Sequence, residues 1–504
     1  MATSVRSVLL RGLDVLPVDV EVDIATGQPG FFMVGLAGGS VREARERVRS
    51  AVRNSALPWP PQRARMTVNL APAEARKDSG GLDLAIAVAI CLDQAGAAAP
   101  PEAAFLGELS LDGAVRHVDG VLVAARGLAH RGVRRLFVPA GDAAEAALVA
   151  DLEVVACRTL QEVTGHLLEG LPMPSFTGGV ADVAEAVAVD DLAEVHGQAA
   201  ARRALEIAAA GGHHLLMTGP PGSGKTMLAR CLPGILPPLT RDEAIDLAQV
   251  GSVLGELEPG RPLSARRPFR APHHTISMAG LVGGGSGLAR PGEVSRAHHG
   301  ILFLDELAEF DPGSLQALRQ PLEEGRVSIT RSGGSVTYPA RFMLVGATNP
   351  CPCGWEGDPV KACRCTPAAV DAYQRALSGP LLDRIDLQVR VSRAPLEALS
   401  EEPTGEGSSV VRERVAAARG RQLQRQGHLN AALTRAELRR LTGIRPEARR
   451  ALERWSSARG LTARGFQRAW RVARTVADLQ ASDEIFEAHV LEALGYRVAD
   501  AAAA

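Results

Sequence analysis

Of the 56 lysines and arginines in this 504-residue chain only three are lysines, and one of them, Lys225, lies in the run Gly219-Pro220-Pro221-Gly222-Ser223-Gly224-Lys225-Thr226. The spacing G-x-x-x-x-G-K-T lets successive backbone N–H groups converge on phosphate oxygens while the lysine reaches the β and γ phosphates. Thr226 would hold Mg²⁺ through its hydroxyl. ATP with Mg²⁺ is the ligand these residue types expect. The plainer reading is an ordinary Gly/Pro turn, but the flanks favour the phosphate site. His213-His214-Leu215-Leu216-Met217 reads as a short apolar strand before the loop, and Met227-Leu228-Ala229-Arg230 opens a helical pattern after it. A helix that starts there aims its N-terminus at the phosphates.

A second motif follows at Gly300-Ile301-Leu302-Phe303-Leu304-Asp305-Glu306, an apolar run of strand length ending in two carboxylates. Beside a phosphate loop, Asp305 steadies the Mg²⁺ shell and Glu306 polarises the attacking water, because phosphoryl transfer depends on positioning and electrostatics more than on covalent chemistry. Standing alone, the two acids would read as a helix cap. Four thiols, in Cys351-Pro352-Cys353 and Cys363-Arg364-Cys365, crowd a later loop. Three readings stay open for them: a closed tetrahedral Zn²⁺ site that stiffens the loop, free buried thiols, or a redox disulfide. Residues 324–338 alternate as two strands around Gly333-Gly334, a hairpin whose Arg331 and neighbouring hydroxyls suit phosphate contacts; its plainer reading is a solvated edge.

These groups need a scaffold to hold them. The chain has room for two to four domains with a substantial core. Hydrophobic residues at 46% and charged residues at 22% describe a soluble globular protein. With a net charge of −1, nucleic-acid binding would have to come from a local patch. No apolar run approaches the roughly eighteen residues of a membrane span; the longest, 82–92, contains Asp83. Arg11 and Asp14 interrupt any signal-peptide pattern after Val8-Leu9-Leu10, so a cytoplasmic protein without a membrane partner is expected. Three regions divide the α/β chain. Residues 1–171 alternate strand-like pieces, such as 18–24, with helical ones, such as 41–53, and read as an α+β domain. After a linker at 172–189, residues 190–399 carry the phosphate motifs on what should be a parallel sheet with helices on both faces. A second linker at 400–409 leads into a helical region, 410–504.

The ordered set of the 219–226 loop, Asp305-Glu306, Ala347-Thr348-Asn349-Pro350 and Gly379-Pro380-Leu381-Leu382-Asp383-Arg384-Ile385-Asp386 resembles an AAA+ ATPase. More narrowly, Arg267-Pro268-Phe269-Arg270-Ala271-Pro272-His273-His274, Gly292-Glu293-Val294-Ser295, Tyr338-Pro339-Ala340-Arg341-Phe342 and Met66-Thr67-Val68-Asn69-Leu70-Ala71-Pro72 are similar to the YifB/ComM family of magnesium-chelatase-like AAA+ proteins. The resemblance implies that Asn349 orients the lytic water. Arg384 would be an arginine finger reaching a neighbouring subunit's γ phosphate in a homo-hexameric ring, or, more plainly, a surface arginine paired with Asp383 or Asp386. Arg464, in Leu461-Thr462-Ala463-Arg464-Gly465, would touch nucleotide from the lid. The hairpin with Arg331, and the insertion with His273 and His274, would enter a central pore and grip single-stranded or branched DNA; a lone histidine pair, with no metal-ligand spacing to complete it, otherwise reads as structural.

The front region is similar to the proteolytic domain of Lon at Arg76-Lys77-Asp78-Ser79-Gly80-Gly81 and Gly107-Glu108-Leu109-Ser110-Leu111-Asp112-Gly113. A Ser-Lys dyad needs both members in place, yet Gly81 stands at the serine position and Leu122 at the lysine position. A non-proteolytic domain is therefore expected. The resemblance implies an ATP-driven ring helicase promoting branch migration in recombination or natural transformation. Its rivals are a chelatase motor subunit, a protein-remodelling ATPase and an ATP-dependent protease.

Overall fold

The computed structural model describes residues 3–35, 39–61, 63–73, 80–177, 190–285, 289–331, 334–377, 381–393, 405–458 and 460–497. The N-terminal region builds a four-stranded sheet from Thr3–Arg11, Asp14–Thr26, Ala64–Ala71 and Gly30–Val34, in that order. Strict alternation in Asp14–Thr26 buries Val18, Val20 and Val22 on one face, which the apolar helix Asp83–Ala95 covers. A second sheet, all parallel, joins Ala103–Phe105, Arg135–Pro139 and Glu153–Cys157. This is the mixed α/β region expected from the sequence.

The apolar runs that bracket the phosphate loop become neighbours in one sheet. Its order is Phe269–Arg270, Ile301–Leu304, Met343–Thr348, Leu215–Thr218, Leu387–Arg390, and every pair is parallel. Parallel strands need both faces covered, so their side chains divide between two cores. Leu215, Met217, Ile301, Phe303 and Val345 point to one that also contains Trp470, Val472 and Val476 of the C-terminal helices. Leu216, Leu302, Leu304 and Leu344 point to the other, shared with Val327, Val336 and Tyr338 of the hairpin. The hairpin expected from the alternation pairs Arg326–Arg331 with Gly334–Pro339, Arg331 opposite Gly334.

The helical region begins at Ser408, two residues earlier than the periodicity suggests, with Ser408–Gln426, and continues through Arg435–Leu441, Pro446–Ala458, Ala463–Leu479 and Glu487–Gly495. Its buried Trp470 donates its indole N–H to Thr442 Oγ1 at 3.0 Å. The front region is fastened to the central one by a small core of Leu122, Leu148, Leu239, Ala244, Ala248 and Leu263. The buried Glu145 carboxylate accepts from the Leu122 N–H and from Ser252 Oγ across the same junction.

Candidate nucleotide and polynucleotide sites

Gly222 and Gly224 take φ values of 74° and 87°, which only glycine adopts without strain, and they turn the chain from Thr218 into the helix Lys225–Ile235. Gly219 is forced by proximity: a Cβ there would lie 2.1 Å from the Val391 carbonyl oxygen. Lys225 Nζ donates to the Gly219 and Pro220 carbonyls at 2.7 and 3.0 Å and lies 3.4 Å from Asn349 Oδ1. Burial lowers the ammonium below its usual value while Asp305 and Glu306 pull the other way. Thr226 Oγ1 donates to Asp305 Oδ2 at 2.8 Å. The hydroxyl and carboxylate of an Mg²⁺ site are thus already adjacent. Ser223 Oγ is buried without a hydrogen-bond partner, a group that a phosphate oxygen would satisfy. The loop, Asp305 and Asn349 converge because they follow the C-terminal ends of three adjacent parallel strands.

Glu306 is exposed and held at φ 51°, a left-handed conformation uncommon outside glycine. His274 Nδ1 lies 3.4 Å from its Oε2, and the His274 ring stacks 4.1 Å from that of His273. The sequence assigns both histidines to DNA. The structure brings His274 to the candidate base of the ATP site, a contact that no local pattern signals.

The insertion that carries His274 continues to the hairpin. A Cβ on Gly283 would meet Ile329 Cδ1 at 2.6 Å, and a Cβ on Gly284 would lie 3.4 Å from Arg331 Nη2. The two candidate pore elements therefore pack on each other. Val327, Ile329, Val336 and Tyr338 are buried, with the Tyr338 hydroxyl donating to the Ala289 carbonyl at 2.6 Å. The opposite face exposes Arg326 and a hydroxyl ladder, with Ser328 to Thr337 at 3.0 Å and Thr330 to Ser335 at 3.3 Å, whereas Arg331, exposed in the last pair before the turn, shares the face of Val327 and Ile329 and lies beside the insertion. The hairpin's inner face also receives the front region: Leu13 joins its core, and a Cβ on Gly12 would strike Val336. It is a seated ribbon with one polar side.

Arg384 and Arg464 are brought together, but away from the loop. Arg384 is buried and ion-paired with Glu323, and Arg464 lies 4.0 Å from the same carboxylate. Arg384 precedes the strand that begins at Leu387, which pairs with Leu215 at the N-terminal end of the sheet. The phosphate loop leaves the opposite end, after Thr218. Both arginines therefore lie at the far edge, away from their own chain's phosphate loop. Pairing of Arg384 with Asp383 or Asp386 is replaced by Glu323, while Asp386 is buried 3.4 Å from His213 Nδ1 and 3.9 Å from Arg468.

The four thiols do meet. Sγ separations are 3.4 Å for Cys351–Cys353 and 3.6 Å for both Cys351–Cys363 and Cys353–Cys363, and all four sulfurs lie within 4.8 Å of one another. None is in a disulfide, and Cys351 alone among the four is buried. In the front region Gly81 is buried in a short turn and Leu122 is completely buried in the junction core. Arg76, Lys77, Asp78 and Ser79 lie outside the described residues. No helix among the described residues is long and apolar enough to cross a membrane.

Comparison with known proteins accords with this arrangement. Residues 191–399 match the family described as magnesium chelatase, subunit ChlI; residues 20–142 match subunit ChlI of Mg-chelatase; residues 405–497 match its C-terminal part. The chain is 42% identical over 496 residues to the uncharacterized protein YifB of Escherichia coli K12, covering 97% of this chain and 96% of that one. It is 42% identical over 490 residues to the competence protein ComM of Haemophilus influenzae, covering 95% and 94%. Similarity to the magnesium-chelatase subunit ChlI of Euglena gracilis is 25% over 162 residues, covering 27% of this chain and 45% of that one. The front region matches a chelatase description too, so its presence does not by itself separate the two groups; the length of the alignment does.

Proposed function

Because the chain belongs to the YifB/ComM family of magnesium-chelatase-like AAA+ proteins, we propose that it is an ATP-hydrolysing ring motor that moves on DNA and promotes branch migration in recombination or natural transformation. The observation that carries this reading is the continuous path from Glu306, through His274 and the insertion, to Arg331 at the end of the hairpin. ATP chemistry at one end and a ribbon of cation and hydroxyls at the other are what a motor on a phosphate backbone requires. The printed name of the Haemophilus relative, a competence protein, supports work on incoming DNA.

In this mechanism the loop 219–226 binds the ATP phosphates, with Lys225 turning from the loop carbonyls to the β and γ oxygens. Thr226 and Asp305 hold Mg²⁺, which neutralises charge on the phosphates when bound. Glu306 takes a proton from the attacking water and Asn349 orients it. Arg384 and Arg464 serve the nucleotide of the next subunit, which makes a closed homo-oligomer, read as a hexamer, part of the catalytic unit. His274 holds Glu306 aside until DNA on the hairpin shifts the insertion. The four thiols of the loop after Asn349 bind Zn²⁺, and a cytoplasmic location belongs to the same reading. The front region, with neither member of a dyad at the matching places, seats the hairpin without cleaving peptides.

The test is ATP turnover with and without single-stranded and branched DNA. We expect DNA to stimulate turnover about tenfold, Arg331→Ala to remove that stimulation while leaving basal turnover, and Glu306→Gln to abolish both. Turnover indifferent to every form of DNA would overturn the proposal and favour a motor that remodels a protein partner.

A further inference from the structure

Residues 350–366 contain no helix or strand, and they occupy the position directly after the strand that ends in Thr348. A segment of this length without a core of its own needs a staple to hold one shape. The four sulfurs supply its geometry. An ion bound tetrahedrally by thiolates at about 2.3 Å places the sulfurs roughly 3.8 Å apart, close to the observed 3.4 and 3.6 Å. A disulfide needs about 2.05 Å and would join only two of them. Backbone N–H groups are already aimed at the sulfurs: Cys353 N–H at Cys365 Sγ and Cys365 N–H at Cys363 Sγ, both at 3.4 Å. Donors around a sulfur stabilise thiolate, the form a metal takes. An all-sulfur tetrahedral set selects Zn²⁺ over Mg²⁺, whose preference is for oxygen.

What the staple would hold is visible on its other side. Cys351 and Cys353 bracket a turn closed by the Gly354 N–H on the Cys351 carbonyl at 2.9 Å. Gly354 is buried at φ 82°, and a Cβ there would lie 2.6 Å from Pro221 Cδ of the phosphate loop and 3.8 Å from Asn349 Cγ. The turn between two ligands therefore rests on the loop that binds phosphate and on the residue that faces Lys225. Trp355 extends the packing, with Lys361 Nζ 4.1 Å and Arg393 Cζ 4.7 Å from its ring centre.

Resting on the reading of these thiols as a Zn²⁺ site, we infer that the bound zinc is a strut of the ATP site: by fixing the 351–354 turn it sets Pro221 and Asn349 in their working positions. Zinc is then required for turnover although it touches neither nucleotide nor water.

Elemental analysis of the full-length protein purified without chelator tests the site. We expect about one zinc per chain, lost in the Cys363→Ser/Cys365→Ser double variant. A metal-free protein, or one carrying iron, overturns the zinc reading, as does a mass decrease that reports disulfides. The strut has its own readout. Stripping zinc from the wild type with a zinc-selective chelator in excess Mg²⁺ should lower ATP turnover about tenfold, and added Zn²⁺ should restore it. Gly354→Val should retain zinc and lose a similar factor, since its side chain displaces Pro221. Zinc present but turnover unchanged on its removal overturns the strut while leaving the metal site standing.

Discussion

The two ends of the central sheet carry opposite kinds of chemistry. At the C-terminal end, Lys225, Thr226, Asp305 and Asn349 contact one another and the loop carbonyls. At the N-terminal end, Arg384 and Arg464 meet at Glu323, with the buried Asp386 and the partly buried Arg468 nearby. The first end is complete within one chain because parallel strands deliver all its groups to one edge. The second presents cations without a phosphate to stabilise, and a sheet about four residues deep, roughly 13 Å, separates them from their own chain's loop. In the ring we propose, the arginines at one end would meet the nucleotide held at the other end of a neighbouring subunit.

The sharpest way to break that comparison is to mix subunits. Arg384→Ala and Arg464→Ala should each lower turnover of the assembled protein, Arg384→Ala by about a thousandfold, the scale of a trans arginine. Adding Glu306→Gln subunits, themselves inactive but with intact arginines, should return a measurable part of the activity of Arg384→Ala. A cis role for these arginines predicts no recovery at any mixing ratio. A smaller effect sharpens the link from the ATP end to the hairpin: His274→Ala should raise basal turnover about threefold and reduce the further gain from DNA, measured in the same assay. Equal basal rates would leave Glu306 independent of the insertion.

The smallest effect concerns the far edge alone. His214 Nδ1 accepts the Leu344 N–H and His298 Nδ1 accepts the Arg341 N–H, each at 3.0 Å. Burial pushes His214 down to about 4 and His298 down to about 3. Their folded values lie below the ordinary unfolded one near 6.5, so both favour the neutral form. The stability they contribute is full above about pH 6.5 and is lost as pH falls through about 4 and 3, with a slope approaching 1.4 kcal/mol per pH unit for each proton. Denaturant titrations between pH 4 and 6.5 should show that slope, and His298→Ala should flatten it by about one proton.

The structure also adds packing to readings that residue types alone leave open. The hairpin at 324–338 reads more plainly as a solvated edge than as a pore element, since alternation is common to both. Burial of Val327, Ile329, Val336 and Tyr338 under Leu13 and the insertion makes it a supported ribbon, and that packing depends on segments more than 300 residues apart. The thiols likewise read as zinc ligands, free thiols or a disulfide, and the fold brings their sulfurs within 4.8 Å of one another with none in a disulfide. That Arg464 lies beside Glu323 was not legible either, because a helical pattern fixes which residues share a face and not which edge of a distant sheet that face meets.

The sequence by itself determined the phosphate loop, the acid pair and the parallel sheet that joins them. Each is a local code: glycines where φ must be positive, apolar runs of strand length, acids and Asn349 at their ends. Only the tertiary structure decided that His274 reaches Glu306, that Gly354 bears on Pro221, and that Glu323 gathers Arg384 and Arg464 at the far edge. Those contacts join segments whose separation along the chain carries no periodic signal, and they exist because two cores fold the insertions and helices back onto opposite faces of one sheet.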